Sequence, residues 1–450
     1  MSHSPPSIPV RLWLIASITG TGAFCSMLDA SVANLVLVPI QTTFNSTLTE
    51  TQWVATLYLL TMAISLPCTG WLSCRLGRER AWRLSLLGFV VASMVCALAT
   101  NLTMLLIARA GQGLAAGIML PAGQAILASR ANPRQLGRLM GTVGLAVALG
   151  PALGPVLGGY LTDLASWRWI FWINVPLGLA AVCCSWCILP NRRRSHSLVF
   201  DGFGFVLIAI SLPSLVYGTI KLNGENTIAW ALAAIAVGAS SLLMFIVRSR
   251  TQAAPLLQLK LLRRPIFHAA CRSASLCGAT SFAGLLLLPI YLQNRLQLST
   301  ANSGLMLLAL GLGSAFTLPF AGAMTDCCGP ARSARYGGLL MTLAVVPLAL
   351  QLNVTLAVIA CLLFLHGIGL ALTQMPAMTA GFNATSLTDK DDGAVLLNIA
   401  HRLGGVFGAA VVAATLQEWT IDGAFMLLTV LASMALLSTL GLQSTDNTKA

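Results

Sequence analysis

The chain has 450 residues, of which 57% are hydrophobic and only 9% are charged, and its formal net charge is +13. An average soluble domain is about 25% charged, so this chain lacks the charged side chains that a water-soluble surface of its size requires. Its basic residues lie in short clusters between apolar runs, as in the cytoplasmic loops of membrane proteins, and this argues against a nucleic-acid partner. The composition therefore predicts a polytopic protein surrounded by a lipid bilayer.

Fourteen apolar segments follow one another along the chain, and a helix needs about 20 such residues to cross the bilayer. The connections after even-numbered segments are rich in arginine and lysine, whereas the opposite connections carry only Arg168, Lys221 and Arg295. The positive-inside rule therefore predicts an even number of spans with both termini in the cytoplasm. The fourteen predicted transmembrane helices of this all-α protein are 12–40, 52–72, 82–100, 104–128, 139–162, 168–190, 202–220, 228–247, 267–292, 301–323, 337–351, 354–377, 394–416 and 421–442.

One loop sequence occurs twice. Gly70 to Arg80 follows the second predicted helix and Gly322 to Arg332 follows the tenth, and both place Gly, a small or acidic residue, Gly and Arg at offsets 0, +4, +7 and +10. The repeat predicts two six-helix halves, 1–195 and 253–450, with two inserted helices in 196–252, and paired halves are typical of transporters. Either copy alone could be a stop-transfer turn with arginines that reach the membrane surface. The residues assigned to a conformational switch are Gly70, Cys74, Arg75, Gly77, Arg78, Asp326, Gly329 and Arg332.

Asp29 is the only carboxylate well inside any predicted helix. A charge at that depth costs at least about 2.5–3.5 kcal/mol, so an acid inside the membrane is a functional hypothesis by default. Burial favours the uncharged form of a carboxyl group, which would let Asp29 take up and release a proton. The alternative is a structural acid that forms hydrogen bonds inside the bundle.

Arg109 and Gln112 lie in the apolar fourth helix. An arginine does not lose its proton in a protein, but it can influence a neighbouring acid or hold a chain of water molecules. The alternative is an arginine that fixes helix packing by binding backbone carbonyls. The sequence does not reveal whether Asp29 and Arg109 approach each other.

The fifth helix carries Gly150, Gly154 and Gly158 at intervals of four residues, which places them on one helix face where another helix can approach closely. Pro151 and Pro155 each remove a backbone donor and bend the helix. This pattern predicts either a moving helix interface or tight packing, and the two are compatible.

Two further polar residues lie in or near apolar helices. Arg402 begins the thirteenth helix and either faces the transport pathway or extends to the inner membrane surface. His366 is the only histidine in the middle of a predicted helix, and its side chain can titrate near neutral pH. A hydrogen-bonded packing role is the favoured interpretation of His366, and a place on the transport pathway is the alternative.

Together, five local signatures resemble those of the major facilitator superfamily, specifically its fourteen-span drug:proton antiporter branch. They are Leu28 to Asn34, Gly70 to Arg80, Arg109 to Gly113, Gly150 to Gly159 and Ser166 to Pro176. The resemblance covers nearly the whole chain, and the signatures occur in the right order on the right helices. It implies a major-facilitator fold that works by alternating access in the cytoplasmic (bacterial inner) membrane.

The resemblance also implies roles for particular residues. Asp29 occupies the motif of the proton site, Arg109 and Gln112 belong to the proton-coupling apparatus, and the fifth-helix pattern that ends at Gly159 accompanies export. Asn34 is a candidate for the substrate pathway. The coupling ion is a proton and no other cofactor is expected. One position departs from the family, which usually has Asp where this chain has Cys74, and the charge latch of the first half is expected to be weakened.

Three functions remain open at this point. The expected one is export of small, hydrophobic or cationic compounds in exchange for protons. The second is a dedicated exporter of one metabolite, such as a siderophore or an antibiotic. The third is a membrane sensor or assembly partner that no longer transports, which the presence of Cys74 keeps open. An enzyme is not expected, because no Ser/His/Asp set, metal cluster or phosphate loop stands out in the sequence.

Overall fold

The computed structural model describes residues 8–32, 36–164, 166–189, 200–221, 228–252, 255–298, 300–352, 354–418 and 421–445. Within these ranges the regular secondary structure is entirely helical, as the sequence predicts. The α-helices, numbered α1 to α17 in chain order, are Val10–Val32, Leu37–Phe44, Leu48–Ser65, Cys68–Leu76, Arg78–Ala97, Leu102–Ala128, Pro133–Leu164, Trp169–Trp172, Asn174–Ile188, Gly202–Lys221, Ile228–Thr251, Pro265–Ile290, Thr300–Cys328, Pro330–Ala349, Leu356–Asn383, Lys390–Glu418 and Ile421–Ser438. Three short segments of other helix types are Leu259–Arg263, Tyr291–Arg295 and Thr439–Thr445.

Each of the fourteen predicted spans corresponds to one helix or to a pair of consecutive helices. In the part of the chain that the structure describes, nine helical segments are long and apolar enough to cross a membrane, and a tenth qualifies if α3 and α4 are counted as one bent span. The other four predicted spans form helices of 20 to 32 residues. The protein is therefore an integral membrane protein with the predicted succession of helices.

The largest corrections concern three predicted boundaries. The twelfth span was predicted to end at 377, but α15 continues to Asn383. The other two are helix starts, where the helix extends beyond its apolar stretch. The eleventh span was predicted at 337–351, but α14 begins at Pro330, whose fixed φ angle suits the first position of a helix. The fifth span was predicted to begin at 139, but α7 begins at Pro133. In both cases arginines and small residues continue the helix past the apolar stretch.

The internal repeat is visible in the backbone. Gly77 separates α4 from α5 with a φ angle of 89°, and Gly329 separates α13 from α14 with a φ angle of 84°. They are the two glycines with positive φ among the described residues. A side chain at this φ is strained, so glycine is required where two consecutive helices meet at a one-residue corner.

By their contacts, the residues divide into two compact units. Unit 1 comprises Met1–Gly20, Leu127–Leu153 and Leu262–Ala450, and unit 2 comprises Thr21–Ile126 and Gly154–Leu261. The boundaries between the units after Gly20 and after Leu153 cut through the first and fifth spans. The units therefore differ from the topological halves 1–195 and 253–450, which stay a prediction. A core cluster of unit 2 includes Leu28, Val32, Ile40, Leu105 and Phe171.

Candidate functional site

An ion pair between Asp29 on α1 and Arg109 on α6 lies in the interior of unit 2. Nη1 of Arg109 donates a hydrogen bond to Oδ2 of Asp29, and both side chains have 0% of their surface exposed. The two residues that the sequence singled out separately are therefore direct partners. A pair so completely removed from water is stable only when its remaining hydrogen-bonding groups also find partners.

Arg109 has several partners besides the carboxylate. Its Nε donates to the backbone oxygen of Val54 at 2.9 Å, and its Nη1 also donates to Oε1 of Gln112 at 2.9 Å. The guanidinium carbon lies 4.4 Å from the ring centre of Tyr58 and 5.6 Å from that of Phe171. The positive charge is thus supported by two neutral acceptors and two aromatic rings as well as by Asp29.

Gln112 has a fixed orientation in this network. Its Oε1 accepts hydrogen bonds from Arg109 and, at 3.2 Å, from the thiol of Cys96, while its Nε2 donates to Oγ of Ser93 at 2.7 Å. The same Nε2 lies 3.5 Å from Oδ1 of Asp29. Because arginine can only donate, the oxygen of the Gln112 amide must face Arg109.

Asn174, at the start of α9, is the third side chain in contact with the acid. Its Nδ2 donates to Oδ1 of Asp29 at 3.1 Å. Its own oxygen, Oδ1, and Nη2 of Arg109 have no hydrogen-bond partner among the described residues. With Asn174, the network includes residues of five predicted membrane spans, namely the first, second, third, fourth and sixth.

Several members of this network received no role from the sequence, among them Asn174 and Tyr58. Asn174 belongs to the quoted signature from Ser166 to Pro176 but received no role, although a polar side chain inside an apolar helix is itself a signal of function. Tyr58 was not considered at all. Its hydroxyl donates to the backbone oxygen of Ser26 at 2.8 Å, which fixes its ring against Arg109.

The network lies closer to the predicted outer surface than to the inner one. Arg109 is seven residues from the start of α6 at Leu102, and Asn174 is five residues from Trp169, the start of α8. At about 1.5 Å per residue, these offsets correspond to roughly 10 Å and 8 Å along the helices.

The glycine pattern of the fifth span reaches the same region through Gly154. A Cβ atom on Gly154 would overlap Oγ of Ser31, two residues beyond Asp29 on α1. Close approach therefore requires glycine at this position. Gly150 is buried on α7, and Pro151, Pro155, Gly158 and Gly159 also belong to that helix. Whether the prolines bend α7 stays a prediction.

The second copy of the repeated loop forms a different carboxylate site, within unit 1. Asp326 accepts hydrogen bonds from the backbone amides of Gly137 and Arg138 at 2.8 and 3.0 Å, and from Nε of Arg138 at 3.2 Å. A Cβ on Gly137 would lie 2.6 Å from the backbone oxygen of Gly322. The acid of the second copy thus binds the first turns of α7.

The first copy lacks this acid and is organised differently. Cys74 is half-buried, and Arg75 lies over the ring of Trp71 at 5.3 Å. Gly70 and Arg78 are buried, whereas Arg332 in the second copy is exposed. The weakened latch expected at Cys74 stays a prediction.

The remaining candidates do not belong to the Asp29 network. His366 is buried, and its Nδ1 lies 3.3 Å from the backbone oxygen of Met341, a geometry that supports the packing interpretation. Arg402 is half-buried on α16. Both lie in unit 1. Asn34 lies outside the described residues.

Comparisons with known proteins identify the family. The model of the Major Facilitator Superfamily matches residues 19–408 and 270–449. The chain is 30% identical to the multidrug resistance protein B homolog of Mycobacterium tuberculosis over 419 residues, which cover 92% of this chain and 77% of that protein. It is 29% identical to the lincomycin resistance protein LmrB of Bacillus subtilis over 397 residues, covering 86% and 82%.

A solved structure has the same fold. The human organic anion transporter MFSD10 (TETRAN) superposes with a TM-score of 0.67 at 17% identity, covering 97% of this chain and all of that one. At this identity the likeness establishes the fold alone. The family match, the two relatives and the helical architecture lead to one conclusion: the chain belongs to the major facilitator superfamily and is a membrane transporter, not an enzyme.

Proposed function

We propose that this transporter exports small, hydrophobic or cationic compounds across the cytoplasmic membrane in exchange for protons, with Asp29 as the proton carrier. The names of the relatives support export of drug-like compounds. The observation that carries the proton coupling is the buried Asp29–Arg109 pair, in which the arginine has partners of its own.

Those partners matter because a proton carrier must be stable with and without its proton. Protonation of Asp29 leaves Arg109 as an uncompensated buried charge, which is normally strongly destabilising. Here the guanidinium retains the oxygens of Val54 and Gln112 and the ring faces of Tyr58 and Phe171. The network therefore lowers the cost of neutralising Asp29, and this distinguishes it from a purely structural ion pair.

The same geometry suggests how protonation is coupled to helix movement. Loss of the carboxylate charge weakens the attraction between α1 and α6. Since α1 also packs on Gly154 of α7 through Ser31, a shift of α1 would be transmitted to the glycine face of the fifth span. In this scheme the substrate binds the deprotonated, inward-facing state and leaves when Asp29 takes a proton from outside, and the proton is released to the cytoplasm after the return step.

Asp326 has a separate role in the proposal. Its hydrogen bonds to Gly137 and Arg138 join the tenth span to the fifth at their predicted cytoplasmic ends. A carboxylate near the first turns of a helix is stabilised by the helix dipole and by the backbone amides there. This contact would favour the conformation in which the two ends are together, and it must break when the pathway opens to the cytoplasm.

A second candidate is a dedicated exporter of a single antibiotic or other metabolite. It is supported by the relative from Bacillus subtilis, which is named for resistance to lincomycin alone. Both candidates share the proton mechanism and differ in the range of substrates.

The test is efflux of a fluorescent lipophilic cation from energised cells that produce the wild-type chain or Asp29→Asn. We expect export by the wild type that stops with an uncoupler and is lost in Asp29→Asn. Asp422→Asn, which removes the same charge from the exposed pair with Arg295, is the matched control and should export normally. Full export by Asp29→Asn would contradict the proton assignment, and a correctly inserted wild type that moves no dye would favour the dedicated exporter.

A further inference from the structure

The Asn174 amide has one satisfied end and one unsatisfied end beside the proposed proton carrier. We infer that Asn174 is a positioning residue that holds the Asp29 carboxyl group in both protonation states, by donating from Nδ2 to the carboxylate and by turning its oxygen to accept from the protonated acid. The inference rests on the proposed function, in which Asp29 carries the proton.

The contacts of Asp29 explain why an acceptor is needed. Its Oδ2 faces Nη1 of Arg109, and its Oδ1 faces Nδ2 of Asn174 and Nε2 of Gln112. All three of these nitrogen groups are donors. A proton added to either carboxyl oxygen would therefore point at another donor, and a buried O–H group without an acceptor is costly.

Arg109 and Gln112 do not supply that acceptor. Arginine has no acceptor atom. A rotation of the Gln112 amide would direct its nitrogen at Arg109 and would break its bonds from Arg109, from Cys96 and to Ser93. Among the described side chains that bind Asp29, this leaves Asn174.

Asn174 meets the requirement because its oxygen is not engaged. The side chain is 0% exposed, and Oδ1 has no hydrogen-bond partner among the described residues. A half-turn of the amide exchanges an unpartnered oxygen for an unpartnered nitrogen, so the number of unsatisfied groups on Asn174 does not rise. The turn replaces a contact between two donors with a hydrogen bond, so it should follow protonation of Asp29.

Few other groups around the acid can take part in its titration. Among the described residues, the charged or titratable side chains that interact with it or with Arg109 are Arg109 itself, Tyr58, Cys96 and Cys25. Tyrosine and cysteine in model peptides ionise at about pH 10 and about pH 8.5, and arginine remains charged. Changes within this network below neutral pH can therefore be assigned to the Asp29 carboxyl group.

Infrared difference spectroscopy of the purified transporter in lipid vesicles, between neutral and acidic pH, tests the inference. We expect a carboxylic-acid band that is absent from Asp29→Asn, together with a side-chain amide band that is absent from Asn174→Leu. The amide band reports a change in the hydrogen bonding of Asn174, which a merely structural asparagine would not undergo. Ser185→Ala removes a buried hydroxyl from the same helix that donates to the backbone oxygen of Val182 and does not contact Asp29 among the described residues, and it should keep both bands.

A second readout is the pH midpoint of the Asp29 band. A donor to the carboxylate favours the ionised form and an acceptor for the O–H favours the protonated form, so Asn174→Leu removes two opposing effects and should move the midpoint by less than about one unit, whereas loss of a side chain that only donates would raise it by more. Asn174→Thr retains a hydroxyl that can donate and accept, and it should restore most of the wild-type midpoint.

The outcomes separate the two proposals. An Asp29 band without an Asn174 band overturns this inference and leaves proton carriage by Asp29 intact. Absence of the Asp29 band from the wild type overturns both. If Asn174→Leu does not fold, the wild-type chain is labelled with nitrogen-15 in its asparagine side chains. A difference spectrum without a label-sensitive amide band then contradicts the inference.

Discussion

Among the carboxylates of this transporter that bind arginine, Asp29 and Asp326 have surroundings of opposite character. Asp29 is held by side chains from other helices, and its partner Arg109 is fully buried with further acceptors of its own. Asp326 is held mainly by two backbone amides of α7, and its partner Arg138 is 21% exposed. A carboxylate whose arginine partner has other acceptors is suited to changing its charge. A carboxylate that is bound by backbone amides is suited to holding two helix ends together.

The largest expected effect comes from removing Arg109. Arg109→Gln leaves Asp29 as an unpaired buried carboxylate and should cost about 3–5 kcal/mol of stability. Asp29→Asn should cost clearly less, because Arg109 keeps Val54, Gln112 and two aromatic rings. Thermal unfolding of the detergent-purified variants measures the difference.

The double variant sharpens this prediction. Asp29→Asn combined with Arg109→Gln should be more stable than Arg109→Gln alone, although it should not export. Equal destabilisation by the two single variants would show that Arg109 has no effective partner other than Asp29.

The next effect concerns the contact between α1 and α7. Gly154→Ala inserts a methyl group against Ser31 and should cost about 1–3 kcal/mol through overpacking, with roughly tenfold slower dye efflux. Adding Ser31→Gly should restore part of the rate. Gly304→Ala is the control, since a Cβ there meets nothing within 4 Å. Normal efflux by Gly154→Ala would remove this contact from the coupling scheme.

A smaller effect is expected at Asp326. Asp326→Asn keeps an acceptor but loses the charge, which should weaken the contact with α7 by about 1–2 kcal/mol. Hydrogen exchange at the amides of Gly137 and Arg138 should become faster. Asp389→Asn, which alters the exposed pair with Arg264, should leave these amides unchanged. Unaltered exchange in Asp326→Asn would mean that Asp326 does not hold the helix end.

The smallest effect is expected at the surface pair of Arg295 and Asp422. Both side chains are accessible to solvent, so Asp422→Asn should change stability by about 0–1 kcal/mol and leave efflux unaltered. A large loss in either measurement would mean that solvent access does not determine how much an ion pair of this chain contributes to stability and transport.

Much of the fold could be predicted from the sequence, because apolar length and arginine placement are local signals. The repeated loop was recognisable for the same reason, and its conformation depends on Gly77 and Gly329 themselves. The start of α14 at Pro330 was missed because the helix begins in a polar stretch that the hydropathy pattern excludes.

The site was predictable only in part. Asp29, Arg109 and Gln112 stood out as polar residues in apolar helices, but their contact depends on how two helices are rotated and how deep each residue lies. The spacing of residues within one helix determines neither how two helices are rotated nor how deep each residue lies. Tyr58 could not be predicted for a related reason, since an aromatic side chain in a membrane helix can face lipid, a neighbouring helix or an arginine equally well.

The most direct test of the account measures protons. With the purified transporter in vesicles that contain a pH-sensitive dye, addition of a transported cation should drive proton movement in the opposite direction in the wild type and none in Asp29→Asn. Proton movement of normal size in Asp29→Asn would contradict the claim that Asp29 carries the proton.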